Sequence, residues 1–383
     1  MKAKTTNRRL YIVGVGLRGD GYPNAKNTIK ALIDGGWEIH NLAHWLPEDL
    51  HLWRIMRDSW WHRFRLFFVI IWAGLRQALL CIKLRSDTIV FYVPYPAPFL
   101  LWWLSWVPKQ FRPRCIADGY ISIWDSMFID RSKKSPDRLT SRLVKWNESR
   151  ALKAADVVIV DTVKNRHWMS SCLGIVPEKT IALPLAIDEP PLKQTSIQKK
   201  SDKYAVRVLY VGTFVPLHGI ETLIETMDAL ADNNRIYWKI IGDGQHAPLL
   251  EKAISRQDRK NILWDRDWHN REQLAKEIND ADICLGVFGG NEKAARVLPF
   301  KVYLYLAFGK PVISQKTFSL PEGAPQPPIY TTKPDAYSIA DSIQTLSKNT
   351  ELRNQLAYQS RVYYESFLAN SLLAKRFEDL ICK

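Results

Sequence analysis

A chain of 383 residues is too long for a single hydrophobic core and suits two domains of ordinary size. Hydrophobic residues make up 46% of it, which excludes a disordered chain, and a formal charge of +15 calls for an anionic partner: nucleic acid, a membrane surface or a phosphorylated substrate. The five cysteines (Cys81, Cys115, Cys172, Cys284, Cys382) are scattered, with no CxxC or Cys/His spacing, so they read as reduced thiols of a cytoplasmic protein, with no structural zinc expected.

Met1 to Leu10 is polar and basic with no apolar core behind it, so no secretory signal is expected. Leu10 to Val15 (LYIVGV) is an apolar run closed by Gly16, Gly19 and Gly21; the helical pattern NAKNTIKALIDGG and the strand WEIHNL follow, giving a first βαβ unit. The glycine spacing is not GxGxxG, so an acceptor-facing loop and a plain tight turn both fit.

Trp53, Met56, Trp60, Phe64, Phe67 and Ile71 recur every three or four residues, with Arg54, Arg57 and Arg65 on another face, which predicts an amphipathic basic helix. Between His51 and Arg85 there are seven Lys or Arg against one acid, Asp58, and ten of the fifteen tryptophans lie at or before Trp124. Tryptophan beside arginine suits a bilayer headgroup layer. The uncharged run Leu66 to Leu75 is only ten residues long, and a span needs roughly twenty. The segment is therefore expected to lie on an anionic membrane, not to cross it; a core helix with a solvated arginine face is the other reading. Pro98 to Arg114 (PFLLWWLSWVPKQFRPR) repeats the theme.

Strands are expected at Thr88 to Val93 and Cys115 to Ala117, the second opening into ADGYISIWDSMFIDR. Asp118, Asp125 and Asp130 fall just past a strand end, the edge where open parallel sheets bind ligands, so Asp118 or Asp125 can orient an acceptor hydroxyl; N-capping and turn duty fit them as well. The helix NESRALKAAD, the strand VVIVDT and the run IALPLA complete an N-terminal domain over residues 1–188. Residues 189–204 are polar, proline-bearing and aperiodic, and read as a linker.

Over 205–350 strand and helix alternate again: VRVLYVGTF, GIETLIETMDALA, IYWKIIGDG, APLLEKAIS, NILW, EQLAKEIND, ADICLGVF and PVIS. The alternation predicts a parallel sheet with helices on both faces, hence an α/β chain of two Rossmann-like domains facing a central cleft. In Gly286 to Ser314 an apolar run reaches Gly289 and Gly290, and Glu292, Lys293, Arg296 and Lys301 follow within ten residues, ahead of a helix closed by Gly309 and Pro311. A turn free of side chains with cations and a helix N-terminus beside it holds phosphate oxygens, so a phosphorylated ligand is favoured. After Pro334 only helical pattern remains, and 351–383 is expected to pack back across both halves.

In order, VLYVGTFVPLHGIETLIE, IIGDG, ADICLGVFGGNE and YLAFGKPVI resemble the nucleotide-sugar domain of the retaining family-four (group 1) glycosyltransferases, which have the GT-B fold. The resemblance implies that Gly212 closes over the phosphates and Gly242 and Gly244 over the nucleoside. It also implies that Thr213 and His218 stand where the family usually carries an arginine and a lysine facing the diphosphate. Lys293, Arg296 and Lys301 are then the cations left to replace them. Glu292 fills the slot of the carboxylate near the donor sugar, while the ribose carboxylate aligns with Leu304, which accepts no hydroxyl proton. Asp265 and Asp267 form a DxD string that is assigned to capping and loop contacts, with no metal required.

The expected activity is transfer of a sugar, with retention, from a nucleotide-diphosphate donor to a glycan or lipid-linked acceptor at the inner face of a membrane, with no cofactor and no metal. Polysaccharide biosynthesis is the expected context. Leu304, Thr213 and His218 motivate a catalytically silent membrane- or partner-binding relative as one alternative, and a GT-B nucleotide-sugar epimerase is another. Nucleic acid is not an expected partner, since the cations fall in no recognisable nucleic-acid motif.

Overall fold

The computed structural model describes residues 8–19, 22–48, 59–130, 138–190, 206–255, 260–267 and 269–382. The chain forms two compact units, one comprising residues 1–186 with Asn370–Lys383, the other Ile187–Ala369. Of the segment 351–383, the stretch up to Ala369 therefore goes with the second unit and the last helix with the first. The linker read over 189–204 lies outside the described residues from 191 onward.

The first unit is built on a six-stranded, wholly parallel sheet in the order β3-β1-β5-β6-β7-β8. Its strands are β1 (Arg9–Ile12), β3 (Glu38–Asn41), β5 (Val90–Val93), β6 (Arg114–Asp118), β7 (Val157–Val160) and β8 (Thr180–Ala182). A short parallel pair, β2 (Val15–Gly16) with β4 (His44–Trp45), extends its first two crossings and was not legible as strands. The central strands VFYV and VVIV are apolar throughout because helices cover both faces of a parallel sheet. Helices α1 (Asn24–Asp34), α2 (Trp60–Leu84), α3 (Pro98–Leu104), α4 (Leu139–Lys153) and α5 (Val163–Leu173) supply the cover. Thr162 caps α5 by accepting from the Asn165 amide, and Gly174 ends it in the left-handed conformation.

The sequence-predicted amphipathic helix is corrected in part. Its opening, with Trp53, Arg54, Met56 and Arg57, lies outside the described residues. From Trp60 the helix runs past Arg76 to Leu84, well beyond the ten-residue apolar run, and Arg63–Leu84 is by length and composition alone sufficient to cross a bilayer. One side is built into the unit. Ala73, Ala78 and Cys81 are buried, and Gln77 accepts from the Gly14 amide and donates to the Leu42 carbonyl. A Cβ at Gly74 would run into the Phe99 carbonyl, so glycine is what lets α2 reach α3. The apolar side chains do not keep to one stripe: Leu66 and Ile70 pack inward, while Trp60, Trp61, Phe64, Phe67, Phe68, Val69 and Trp72 are exposed.

The second unit carries a second parallel sheet, ordered β11-β10-β9-β12-β13-β14. The strands are β9 (Val206–Val211), β10 (Ile236–Ile241), β11 (Ile262–Asp265), β12 (Ile283–Leu285), β13 (Val312–Gln315) and β14 (Tyr330–Thr332). β14 is an edge strand of three residues that the pattern after PVIS does not announce. The helices are α6 (Ile220–Ala229), α7 (Ala247–Ser255), α8 (Arg271–Asp280), α9 (Phe300–Ala307), α10 (Ala336–Lys348) and α11 (Thr350–Tyr363). Asn270 and Gln273 form a reciprocal cap on α8, satisfying two amides that a helix start leaves open.

The last helix, α12 (Asn370–Cys382), packs on α1 of the first unit. Ala374 sits where a Cβ on Gly35 would be, Trp37 donates to the Ala374 carbonyl at 3.3 Å, and the Trp37 and Phe377 rings meet edge to face. Cys81, Cys115, Cys172 and Cys284 are free thiols, the first two and the last buried.

Candidate functional site

In the second sheet the chain starts at the middle: β9 lies between β10 and β12, and the chain builds outward through β10 and β11 before crossing back to β12 on the other side of β9. Loops at the carboxyl ends of two such strands diverge and leave a crevice, the usual ligand position in open parallel sheets. The loops concerned are Gly212–Gly219 after β9 and Gly286–Gly290 after β12, two of the sequence-predicted glycine loops.

These glycines serve close approach. A Cβ on Gly242, whose φ is 128°, would run into the Gly212 carbonyl, and one on Gly244 would lie 2.6 Å from the Phe214 amide nitrogen. A Cβ on Gly289 would collide with the Leu217 carbonyl, so that loop nests on the one after β9. The backbone pins them together: Gly212 donates to Ile241, Phe214 to Asp243 and Phe288 to His218. The amides of Gly212 and Gly290 are both committed, the first to the Ile241 carbonyl and the second to Gln315 Oε1 at 3.0 Å. Neither amide is therefore open to a phosphate as the loops stand, and what the two glycines contribute here is room.

The room is beside Lys301. As the second residue of α9 it is 6% exposed, and its Nζ has no hydrogen-bond partner among the described residues. Nζ lies 3.8 Å from the centre of the Tyr210 ring, and a Cβ on Gly212 would stand 2.9 Å from it and 3.0 Å from His218 Cε1. The placement follows from two periodicities. Tyr210 and Gly212 share a face of the chain leaving β9, and Lys301 and Tyr305 are one turn apart on α9, both directed at that strand end. Tyr305 fixes the register there, its hydroxyl oxygen accepting from the Val211 amide at 3.2 Å. Burial holds the Lys301 ammonium well below its ordinary range and the Tyr210 phenol above its own. An unpaired buried cation facing side-chain-free backbone is a receptor for an anion.

The remaining predicted residues are less concentrated. Thr213 is half-buried beside Gly212, and the His218 ring, buried, meets Tyr210 edge-on with centroids 6.4 Å apart. Residues 292–296 form a turn, and the helix begins at Phe300. Within that turn Arg296, its side chain 7% exposed, lies 3.8 Å from Glu292, which is 81% exposed, so the carboxylate expected at the donor sugar and a cation expected at the phosphates face each other. Lys293 is half-buried one residue on, and its carbonyl accepts from the Arg296 amide. Leu304 is buried in α9.

In the first unit Asp118 ends β6, fully buried, accepting from the Tyr120 amide at 3.1 Å and the Tyr92 hydroxyl at 3.3 Å. Burial raises its carboxyl to about 6 against those bonds. Asp125 is buried at the start of the π-helical turn Asp125–Asp130, its amide donating to Ser122 Oγ. The side chain of Asp130 is outside the described residues. What ties the loop together is Glu148 of α4, which accepts from the Ile123 amide at 2.7 Å, the Trp124 amide at 2.8 Å and Ser122 Oγ at 3.0 Å. Burial raises it to about 7. Sequence reasoning missed Glu148 because a lone glutamate inside a helical pattern carries no signal; Tyr210 and Tyr305 were hidden as ordinary apolar-pattern residues, legible only by their spacing from Gly212 and Lys301.

Asp265 of the DxD string accepts from the Asp267 amide and His269 Nε2 in the loop before α8 and lies 3.6 Å from Lys239 of the neighbouring strand β10. Among the described residues no three His, Cys, Asp or Glu side chains are grouped to hold a metal ion.

Residues 205–349 match the family described as glycosyl transferases group 1. No curated protein matches the chain. Among solved structures, trehalose-6-phosphate synthase OtsA superposes with a TM-score of 0.68 at 13% identity, covering 98% of this chain and 99% of its own. Anabaena HepE, solved with UDP and glucose, gives 0.64 at 12% identity over 98% and 99%. S. aureus TarM gives 0.55 at 13% identity over 80% of this chain, which spans 59% of the length of TarM. Residues 205–349 are thus similar to the glycosyl transferases group 1 family, in a chain whose two parallel-sheet units have the GT-B fold.

Proposed function

We propose that the protein transfers a sugar from a nucleotide-diphosphate donor, held at the switch point of the second sheet, to an acceptor bound at the carboxyl edge of the first. One observation carries the reading: the Lys301 ammonium is buried without a partner against Gly212, at the loop the family resemblance assigns to the donor phosphates. The bound UDP of HepE and TarM supports the donor class.

Breaking the glycosidic bond leaves growing negative charge on the diphosphate, and the largest barrier reduction comes from fixed positive charge aimed at it. Lys301 supplies that charge from α9, its ammonium form, which burial disfavours in the empty site, being favoured again by the phosphates beside it. Its position near the phosphates makes a divalent cation unnecessary in this reading. Arg296 and Lys293 are the secondary cations, reached if donor binding draws Arg296 away from Glu292, which then meets the sugar hydroxyls. Asp118, its carboxyl raised by burial to about 6, is still mainly the carboxylate near neutral pH and orients or deprotonates the acceptor hydroxyl, and Glu148 holds its loop. Retention of configuration is the outcome expected from the family resemblance.

The acceptor is presented at a membrane, as a lipid-linked glycan or growing polysaccharide. Exposed Trp60, Trp61, Phe64, Phe67, Phe68 and Trp72 beside Arg63, Arg65 and Arg76 support this. Because Gln77 and Gly74 fasten α2 to its unit, the helix lies along the bilayer surface. A thermal-shift screen with UDP-, GDP- and ADP-sugars on wild type, K301M and K293A/R296A tests the donor site. Stabilisation by one nucleotide that K301M loses is the expected result; stabilisation equal in K301M removes the assignment, and loss of turnover on addition of EDTA removes the metal-free chemistry.

A further inference from the structure

The amino edge of the first sheet carries a feature that the transfer reaction does not use. A cavity of about 410 Å³ opens there, lined by Ser105, Arg112, Trp146, Ser149, Arg150, Lys153 and Ala154. Arg112 precedes β6, Ala154 precedes β7, and Lys179 precedes β8, so the cavity is at the opposite end of the strands from Asp118. Five residues of β6 separate the two edges, about 15 Å at the usual rise.

The lining holds three cations and no carboxylate. Arg150 is a built element: its guanidinium stacks 3.8 Å over the Trp106 ring and 5.6 Å from Trp146, and Nε donates to Ser105 Oγ at 3.1 Å. Ser105 is itself oriented by donating to the Trp102 carbonyl at 2.6 Å. Both Nη groups of Arg150 are left with no partner among the described residues. Arg112 is fixed by bonds from Nε to the Val107 carbonyl and from Nη2 to the Ser105 carbonyl. Lys153 Nζ, exposed, makes no hydrogen bond among the described residues. Lys179 stands behind them, its Nζ on the Lys153 and Ala155 carbonyls. Burial lowers its pKa, Asp156 raises it, and Lys109 and Arg112 lower it further, a sign of cations crowded together. Of the acids near in sequence, Asp156 is occupied by the Cys115 amide and Glu148 is turned to Ser122, Ile123 and Trp124.

A planar guanidinium held over tryptophan with both outer nitrogens unused is shaped for two oxygens of one group, and lysine beside it adds a point charge. We propose that this cavity binds a phosphoryl group, separately from the donor site, with Arg150 and Lys153 as its principal ligands and Trp106 and Trp146 as its apolar wall. The phosphoryl group comes from an anionic lipid headgroup or from a soluble phosphate ester; Trp106 and Trp146, exposed beside it, match either a bilayer interface or an ester's organic part.

The test titrates the full-length protein with inorganic phosphate and with glycerol phosphate by calorimetry, and measures flotation with phosphatidylcholine vesicles with and without phosphatidylglycerol. R150Q/K153Q and the single K153E, which changes only an exposed side chain, are compared after circular dichroism confirms their fold. Saturable binding of the soluble phosphates that falls about tenfold or more in both variants establishes a soluble ligand. Flotation on phosphatidylglycerol that falls about tenfold in both, without soluble binding, establishes a lipid headgroup. Phosphate affinity and flotation unchanged in both variants overturn the proposal. Thermal stabilisation by UDP is followed in parallel and is expected to stay at the wild-type level in both variants, so failure here is distinguishable from failure of the transferase reading.

Discussion

Replacing Lys301 by methionine separates a ligand-binding cation from a structural one, because the two roles predict opposite signs. The ammonium is buried, its Nζ has no hydrogen bond among the described residues, and its visible compensation is the Tyr210 ring 3.8 Å away. A cation–π contact of this kind is worth about 0.5–2 kcal/mol, whereas an unpaired buried charge costs several kcal/mol. Methionine fills a similar length with no charge to desolvate, so K301M should stabilise the second unit by about 2 kcal/mol. For a unit of this size that is roughly 4–8 °C in Tm. The same change should weaken UDP by about 10- to 100-fold, the loss of one or two charge-assisted hydrogen bonds. pH adds a sign check. The Lys301 pKa is depressed in the fold, so between that depressed value and its ordinary 10.5 the unfolded state holds more protons, and wild-type stability rises with pH across that window. K301M lacks this rise. Differential scanning fluorimetry with and without UDP across the pH range measures all three. A K301M that melts lower than wild type, or binds UDP equally, would refute the reasoning.

Gly242→Ala should destabilise the second unit more than Gly212→Ala, since the added methyl meets the backbone carbonyl of Gly212 in the first case and the ends of the Lys301 and His218 side chains in the second; chemical denaturation compares them. Glu148 is raised to about 7 from 4.5 by burial, so its favourable contribution is complete below about 4.5 and is lost as pH rises through 7, an order-of-magnitude decline of about 3 kcal/mol at roughly 1.4 kcal/mol per unit. E148Q should flatten that decline in urea melts at pH 5 and pH 8, and an unchanged slope would assign it to other groups such as Asp118. A W61A/F68A/W72A variant should keep wild-type Tm, because these side chains are exposed, and lose flotation on anionic vesicles; flotation at the wild-type level would remove α2 from the membrane contact.

The sequence by itself determined the fold class, because a parallel sheet buried on both faces writes itself as apolar runs such as VRVLYV and VVIV, alternating with helical periodicity. It also determined the glycine loops, since close backbone approach at Gly212, Gly242 and Gly289 admits no side chain. Only the tertiary structure distinguishes the three nearby cations from one another. Lys293, Arg296 and Lys301 are equivalent as a string, yet Arg296 faces Glu292 while Lys301 is carried by α9 under the end of β9, and burial and unpaired charge are properties of packing between elements distant in sequence. Glu148 and the Arg150 cavity were invisible for the same reason. One braces a loop some twenty-five residues earlier, and the other needs Trp106, Arg112 and α4 brought to one sheet edge, contacts that no local pattern encodes.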